Sequence, residues 1–197
     1  NGGYIYTSTD SGLSWAPRMT GATRSWTAVA SSSDGEKLVA AVYPGQIYTS
    51  ADSGGSWTPR MVHENRYWTC VASSSDGTRL VAGEYGGQIY TSTDSGVTWT
   101  PRMTDTTRYW WTVASSADGT KLVASEYDGQ IYTSTDSGVT WAARESNRRW
   151  WSMASSADGS KVVAVVEGGQ IYTSKLYNPT TTPGVDGVIS GEQAESI

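Results

Sequence analysis

One stretch of sequence decides the fold: Ile89-Tyr90-Thr91-Ser92-Thr93-Asp94-Ser95-Gly96-Val97-Thr98-Trp99. Its opening Ile-Tyr-Thr-Ser recurs with the tyrosine at positions 6, 48, 90, 132 and 172, so the spacings are 42, 42, 42 and 40 residues. A second string, Val/Met-Ala-Ser-Ser-x-Asp-Gly, recurs from Val29, Val71, Val113 and Met153 with matching spacings. Residues 48–89 and 90–131 are identical at 29 of 42 positions. Such regularity indicates one structural unit that is repeated and stacked.

Each unit contains four segments of strand composition, which we name A, B, C and D. In the third full unit they are predicted at residues 111–115, 121–125, 130–134 and 139–141. The segments are rich in Val, Ile, Thr, Tyr and Trp, and glycine-containing turns separate them. No stretch has helical periodicity. One unit cannot bury both faces of its sheet, and four antiparallel strands in about 40–45 residues match a propeller blade. The predicted fold class is therefore all-β, a β-propeller of about 42-residue blades with four repeats.

The turn between strands C and D resembles a known motif. Its pattern, Ser-x-Asp-x-Gly-x-x-Trp, looks like the Asp-box of the BNR repeat, and the whole unit resembles propellers of the photosystem II assembly factor type. The resemblance implies structural roles for the Asp, Gly and Trp of four boxes: Asp10, Gly12, Trp15, Asp52, Gly54, Trp57, Asp94, Gly96, Trp99, Asp136, Gly138 and Trp141. The fifth copy lacks both the Asp and the Gly. The same repeat occurs in sialidases, lectin-like proteins and assembly factors, so it indicates a fold and no single function.

The strand count does not decide how the ring of blades closes. The chain enters at a C strand (4–8) and reaches its last C strand at 170–174, so blades 26–61, 67–103 and 109–143 are complete and the last unit lacks strand D. Three arrangements fit: a four-bladed ring closed by strand exchange within the chain, a larger ring completed by another chain, or part of a longer propeller. We assign residues 1–177 to the repeats. Residues 178–197 are predicted to be a linker and tail, which could dock as a strand, begin a further domain or remain disordered.

Composition excludes several classes of protein. The formal net charge is −5, whereas proteins that bind nucleic-acid phosphates are usually basic. Cys70 is the one cysteine, so no disulfide can form within the chain, and we expect it to be a buried hydrophobe. His63 is the one histidine, so we expect no multi-histidine metal site, and we expect no cofactor. No apolar run approaches the roughly 20 residues of a membrane helix, so membrane insertion is not expected.

Variable loops suggest where a ligand would bind. In a propeller the D–A and B–C loops share one face, and here these loops differ between units whereas the C–D turns are nearly constant. We predict two similar pockets on that face, each with a cation, aromatic plates and a carboxylate: Arg66, Tyr67, Glu84 and Tyr85 in one, and Arg108, Tyr109, Glu126 and Tyr127 in the other. The alternative is structural, with Trp26, Trp68, Trp110 and Trp150 wedged between blades and the arginines stacked on aromatic rings or paired with glutamates. A second series, Arg18, Arg60, Arg102 and Arg144, is expected to stay solvated at the outer edge.

Repetition also bears on function. A sialidase needs one asymmetric pocket, whereas Arg, Tyr and Glu recur here at equivalent positions, which argues against an enzyme. The first hypothesis is a non-enzymatic structural or protein-interaction module of an extracellular or surface assembly. Its partner would be another protein or a second copy, held through an open blade edge or the tail. The alternative is a multivalent lectin-like propeller that binds carbohydrate, and the third, least favoured hypothesis is a sialidase-type glycoside hydrolase.

Overall fold

Every element of regular structure in the described part of the chain is a β-strand. The computed structural model describes residues 2–175, with Lys175 described by its backbone alone. The predicted linker and tail lie outside the described residues. The strands are β1 (Ile5–Thr7), β2 (Ala16–Arg18), β3 (Trp26–Ser31), β4 (Leu38–Val42), β5 (Ile47–Ser50), β6 (Thr58–Arg60), β7 (Trp68–Ser73), β8 (Leu80–Gly87), β9 (Ile89–Ser92), β10 (Thr100–Arg102), β11 (Arg108–Ser115), β12 (Leu122–Glu126), β13 (Gly129–Ser134), β14 (Ala142–Arg148), β15 (Trp150–Ser155), β16 (Lys161–Val166) and β17 (Ile171–Lys175).

The strands form blades in the predicted order. Antiparallel pairing joins β3–β4–β5–β6 into blade one, β7–β8–β9–β10 into blade two and β11–β12–β13–β14 into blade three. The hairpin β1–β2 supplies a C and a D strand ahead of blade one. Blade four is β15–β16–β17, which supplies strands A, B and C. The predicted succession of three full blades and two partial units is confirmed.

Strand D begins later than predicted. In the third unit it starts at Ala142, whereas residues 139–141 belong to the preceding turn. The reason is that Asp136 accepts hydrogen bonds from the backbone and the hydroxyl of Thr140, which keeps this segment in the turn.

The second arginine series also differs from expectation. Each Nε donates to a threonine hydroxyl on strand C of its own blade, as Arg102 does to Thr91 at 2.9 Å, so these side chains brace strand D instead of standing free in water.

The core lies between blades. Val39 and Ile47 of blade one pack in one cluster with Trp68, Val71 and Tyr90 of blade two. Equivalent clusters join blade two to blade three and blade three to blade four. Alternation along the strands explains this, because successive side chains point to opposite faces of a sheet and each face meets a different neighbour. Burial of apolar surface between sheets therefore holds the row of blades together.

Contacts along the row also include hydrogen bonds. The Thr27 hydroxyl donates to the carbonyl of Trp68 at 2.9 Å, and the Thr69 hydroxyl donates to that of Trp110 at 2.8 Å. The A strands β3, β7, β11 and β15 therefore lie next to one another along the inner side of the row. Within the described part of the chain, no helix is long and apolar enough to cross a membrane.

Candidate functional site

The inner side of the row of blades forms a concave groove. Its volume is about 690 Å³. Each blade contributes the residue that follows the strand-A tryptophan and one residue at the connection between strands B and C, so the lining repeats from blade to blade: Thr27 and Tyr43, Thr69 and Tyr85, Trp111 and Tyr127, Trp151 and Glu167. The groove thus changes along its length, from threonine with tyrosine at one end to tryptophan with a charged residue at the other.

Aromatic pairs connect neighbouring blades along the groove. Ring centroids are 5.1 Å apart for Tyr43 and Tyr67 and 4.7 Å apart for Tyr85 and Tyr109, both at a tilt of 49°. In blades three and four, Trp111 lies 5.1 Å from Tyr127 and 5.3 Å from Trp151. Tilted and offset aromatic pairs at this range are favourable. The rings form three separate groups along the row of blades, and several of them are partly exposed.

A charged cluster lies at the tryptophan end of the groove. The guanidinium of Arg149 lies over the ring of Tyr127, 5.3 Å from its centroid. It donates to Asp128 and to Glu167, each at 2.9 Å. The hydrogen bond to Asp128, followed by that to Glu167, raises the pKa of Arg149, which therefore stays charged. Two carboxylates surround one guanidinium, so this end carries a net negative charge.

The other arginines that precede the A strands have structural partners. Arg66 stacks 5.0 Å from the ring centroid of Tyr90 and donates to Glu84 at 2.9 Å. Arg108 stacks on Tyr132 and pairs with Asp105, whose hydrogen bond raises the pKa of Arg108. The tryptophan two residues after each arginine is buried or half-buried and meets a strand-C tyrosine edge to face: Trp26, Trp68, Trp110 and Trp150. The structural interpretation of these two sets agrees with the geometry.

The structure divides each predicted pocket between two places. Tyr85 and Tyr127 line the groove, and Tyr109 stacks on Tyr85 of the preceding blade. Tyr67 likewise stacks on Tyr43 of the preceding blade. The ion pair of Arg66 and Glu84 and the side chain of Arg108 lie beside the strand-C tyrosines. Glu126 ends β12, half-buried and opposite Trp110.

Sequence reasoning overlooked Arg149 and Asp128 and left the two groove tryptophans outside the predicted site. The signal that could have found them is departure from the repeat. Arg149 stands where Tyr67 and Tyr109 stand in earlier units, and Asp128 stands where Gly86 stands. The tryptophans Trp111 and Trp151 replace the threonines of the first two units.

Comparison with solved structures supports the fold. A GH74 enzyme from Niastella koreensis matches 76% of this chain with a TM-score of 0.59 and 25% identity, and the match covers 22% of that enzyme. YCF48 from Cyanidioschyzon merolae matches 96% of the chain with a TM-score of 0.66 and 16% identity, over 64% of its own length. A structure of YCF48 bound to D1 peptide matches 81% of the chain with a TM-score of 0.59 and 18% identity, over 51% of that chain. No protein-family model and no curated protein matches the sequence.

The chain is a β-propeller. It spans between about a fifth and two thirds of the length of these three neighbours. They include an enzyme and a propeller that binds a peptide, so the shared fold by itself assigns no activity.

The aspartate turns of this propeller lie at the other end of strand C from the groove. In the second full unit, Asp94 accepts hydrogen bonds from Ser92 and Thr98, and the indole of Trp99 donates to the carbonyl of Gly96 at 3.0 Å. In the hairpin β1–β2 and in blade one, hydrogen bonds from Ser14 and Ser56 lower the pKa of Asp10 and Asp52, respectively, to about 2. These carboxylates are committed to the turns as acceptors.

Burial raises the pKa of Cys70 to about 12, so this thiol stays protonated and unreactive. Within residues 2–175, no group of three or more His, Cys, Asp and Glu side chains is placed to hold a metal ion.

Proposed function

We propose that this propeller is a non-enzymatic protein-interaction module that binds an extended polypeptide segment in its groove. The observation that carries the proposal is the aromatic floor, to which Tyr43, Tyr85 and Tyr127 contribute from three successive blades. Proline-containing segments suit such a floor, because a polyproline II helix is already ordered before binding and packs on aromatic side chains. A peptide is bound by one structural neighbour, YCF48 in its structure with D1 peptide, which supports a peptide as the class of ligand.

Charge at the tryptophan end refines the ligand. Asp128 and Glu167 together outnumber Arg149, and all three are partly exposed. A basic residue of the ligand would find two carboxylates there and aromatic faces beside them, which attract cations. The proposed ligand is therefore an extended, proline-containing segment with a basic residue at one end.

The absence of catalysis is part of the proposal. Both carboxylates at the groove, Asp128 and Glu167, accept hydrogen bonds from the permanently charged Arg149. The oxygens of both carboxylates are thus engaged with one guanidinium, whereas glycoside hydrolysis needs two carboxyl groups that face the bond to be cleaved from opposite sides. Incubation with chromogenic glycosides should release no product, and turnover that disappears in Glu167→Gln would refute this part of the proposal.

A peptide titration tests the groove. Fluorescent peptides of about ten residues, proline-rich with arginine at either end, are titrated with the protein while anisotropy is followed. Matched peptides carry alanine for proline. The double variant Tyr85→Ala/Tyr127→Ala should weaken binding by at least tenfold, about 1.4 kcal/mol, while the protein stays folded at the temperature of the titration. The control is Val97→Ala/Val139→Ala, which alters exposed residues of the same two blades on the turns far from the groove. Equal binding by both double variants would refute the proposal.

Carbohydrate binding is the second candidate. The specific observation in its favour is the contact of Trp111 with Trp151 beside Arg149 and Asp128. Tryptophan faces stack on the C–H faces of sugar rings, and charged side chains bond to sugar hydroxyls. A glycan array distinguishes the candidates: a saccharide that binds wild-type protein and is lost in Trp151→Ala, with no peptide bound, would replace the peptide proposal.

A further inference from the structure

Blade four exposes apolar side chains that the other blades cover. Ile171 of β17 is 69% exposed, whereas the equivalent Ile89 is fully buried. Val163 of β16 is 37% exposed, whereas the equivalent Val81 is 1% exposed. Both side chains point to the face on which a following blade would pack. A row of exposed β-branched residues on a sheet is an association surface.

The opposite end of the row exposes the complementary surface. Val29 of β3 is 63% exposed, whereas the equivalent Val71 and Val113 of the next two blades are below a tenth exposed. Within the described residues, Val29 is uncovered because the hairpin ahead of blade one consists of a C and a D strand alone. The uncovered surface is therefore the part that strands A and B of a preceding blade would cover.

These two surfaces have the residues of an internal interface. Within the row, the central valine of strand B packs in one cluster with the central valine of the next strand A, as Val39 does with Val71 and Val81 does with Val113. Val163 and Val29 occupy those same two positions. If the two end surfaces packed together, Val163 and Val29 would form an interface of the same kind as those between the blades within the chain.

The strands at the two ends of the row of blades determine how the two end surfaces can pack together. The β1 strand already occupies the C-strand position beside blade one, because Thr7 contacts the turn at Gly54 just as Thr49 contacts the turn at Gly96. The β15–β16 pair can therefore cover Val29 only if β1 takes the place of β17 against β16. Both strands read Ile-Tyr-Thr-Ser, so the exchange preserves the pairing register.

We propose that two copies of this chain close into one ring, head to tail. In each of two junctions, β15 and β16 of one copy and the β1–β2 hairpin of the other form a complete four-stranded blade. The two copies contribute six full blades, and the two junctions add one shared blade each. The ring therefore has eight blades, within the four to eight blades of known propellers. In the ring, β2 pairs with β1 and supplies strand D of the shared blade, so β1 leaves no unpaired outer edge that could act as a template for aggregation. The proposal is independent of the groove, since none of the interface residues line it.

Native mass and a charge-complementation experiment test the ring. Light scattering of the full chain should give twice 21.1 kDa. The single variants Val29→Lys and Val163→Asp should each remain folded and show at least a tenfold weaker association, because each homodimer would bury a lone charge at both junctions. An equimolar mixture of the two variants should recover the doubled mass, because one junction is then unaltered and the other pairs lysine with aspartate.

Val97→Asp is the matched control, since it adds the same charge at an exposed position away from both end surfaces, and it should stay dimeric. A wild-type chain that is monomeric at all concentrations overturns the proposal, and the end surfaces then have another occupant, such as residues 176–197 or a different protein. A mass of three or more chains overturns it, and so does a dimer unaffected by both single variants. Peptide titrations of Tyr85→Ala/Tyr127→Ala report on the groove alone, so the two proposals fail separately.

Discussion

Replacing Asp94 with alanine measures what the aspartate turn contributes to a blade. Its Oδ1 accepts from the hydroxyl of Ser92 and from the backbone N–H of Thr98, both at 2.8 Å, and its Oδ2 accepts from the Thr98 hydroxyl at 2.6 Å. Thr98 is exposed, so water can replace its bonds, whereas Ser92 is buried and its hydroxyl would lose its acceptor. A buried donor left unpaired costs about 1–3 kcal/mol. We therefore expect Asp94→Ala to lower the free energy of unfolding by about 1–3 kcal/mol.

Urea denaturation followed by tryptophan fluorescence measures this loss, provided that the slope of the transition is unchanged. Thr93→Ala is the control, because Thr93 is the exposed neighbour in the same turn, and it should change stability by less than about 0.5 kcal/mol. Asp94→Asn keeps one acceptor oxygen and should fall between the two. If Asp94→Ala unfolded like the wild type and instead lost peptide binding, the structural role of the turn would be refuted.

Three further predictions concern the aspartate turns. Because hydrogen bonds from Ser14 and Ser56 lower the pKa of Asp10 and Asp52 to about 2, below the unfolded value of about 3.9, these groups stabilise the fold above about pH 4 and lose that effect as the pH falls toward 2. The urea midpoint should therefore drop between pH 4 and pH 2, and a constant midpoint over that range would contradict the prediction. Gly96→Ala should destabilise by at least about 2 kcal/mol, because Gly96 has a φ of +81° and a Cβ there would lie 2.7 Å from Cγ2 of Thr49 in the preceding blade. Gly55→Val should be nearly neutral in the same denaturation assay, because blades two and three carry valine at the equivalent position.

Repetition explains why the fold could be predicted from sequence. A strand that recurs in register, such as Ile89–Ser92, must occupy the same place in each blade, so every unit supports the assignment of the others. The start of strand D was missed because Val139 and Trp141 have strand-like side chains, while the hydrogen bonds of Asp136 hold that segment in a turn. The strand propensity of single residues does not include side-chain hydrogen bonds that compete with the backbone hydrogen bonds of a β-sheet.

The candidate site was harder to predict because the aromatic pairs that build it join residues of neighbouring blades. Tyr85 meets Tyr109, which is 24 positions further along the sequence, and both were assigned to separate pockets on the assumption that a unit builds its own site. Arg66 was assigned to binding, yet it stacks on Tyr90 and pairs with Glu84. Spacing along the chain gives the face of the propeller on which a side chain lies. It does not distinguish a ring that lines the groove from one wedged beside it.

Departures from the repeat are distributed in a way that packing explains. Positions such as Val39, Val81 and Val123 lie between two blades, so the neighbouring sheet limits their size and shape. The residue that follows the strand-A tryptophan faces the groove and has no such limit, and there the residue changes from Thr69 to Trp111. In the first two blades the threonine hydroxyl also bridges to the next blade, so the change to tryptophan gives up an internal hydrogen bond and adds an aromatic plate to the groove. The tryptophans replace that hydrogen bond between blades with a stacking contact between Trp111 and Trp151 that also enlarges the partly exposed aromatic surface, which is why the tryptophan half of the groove is the part to test first.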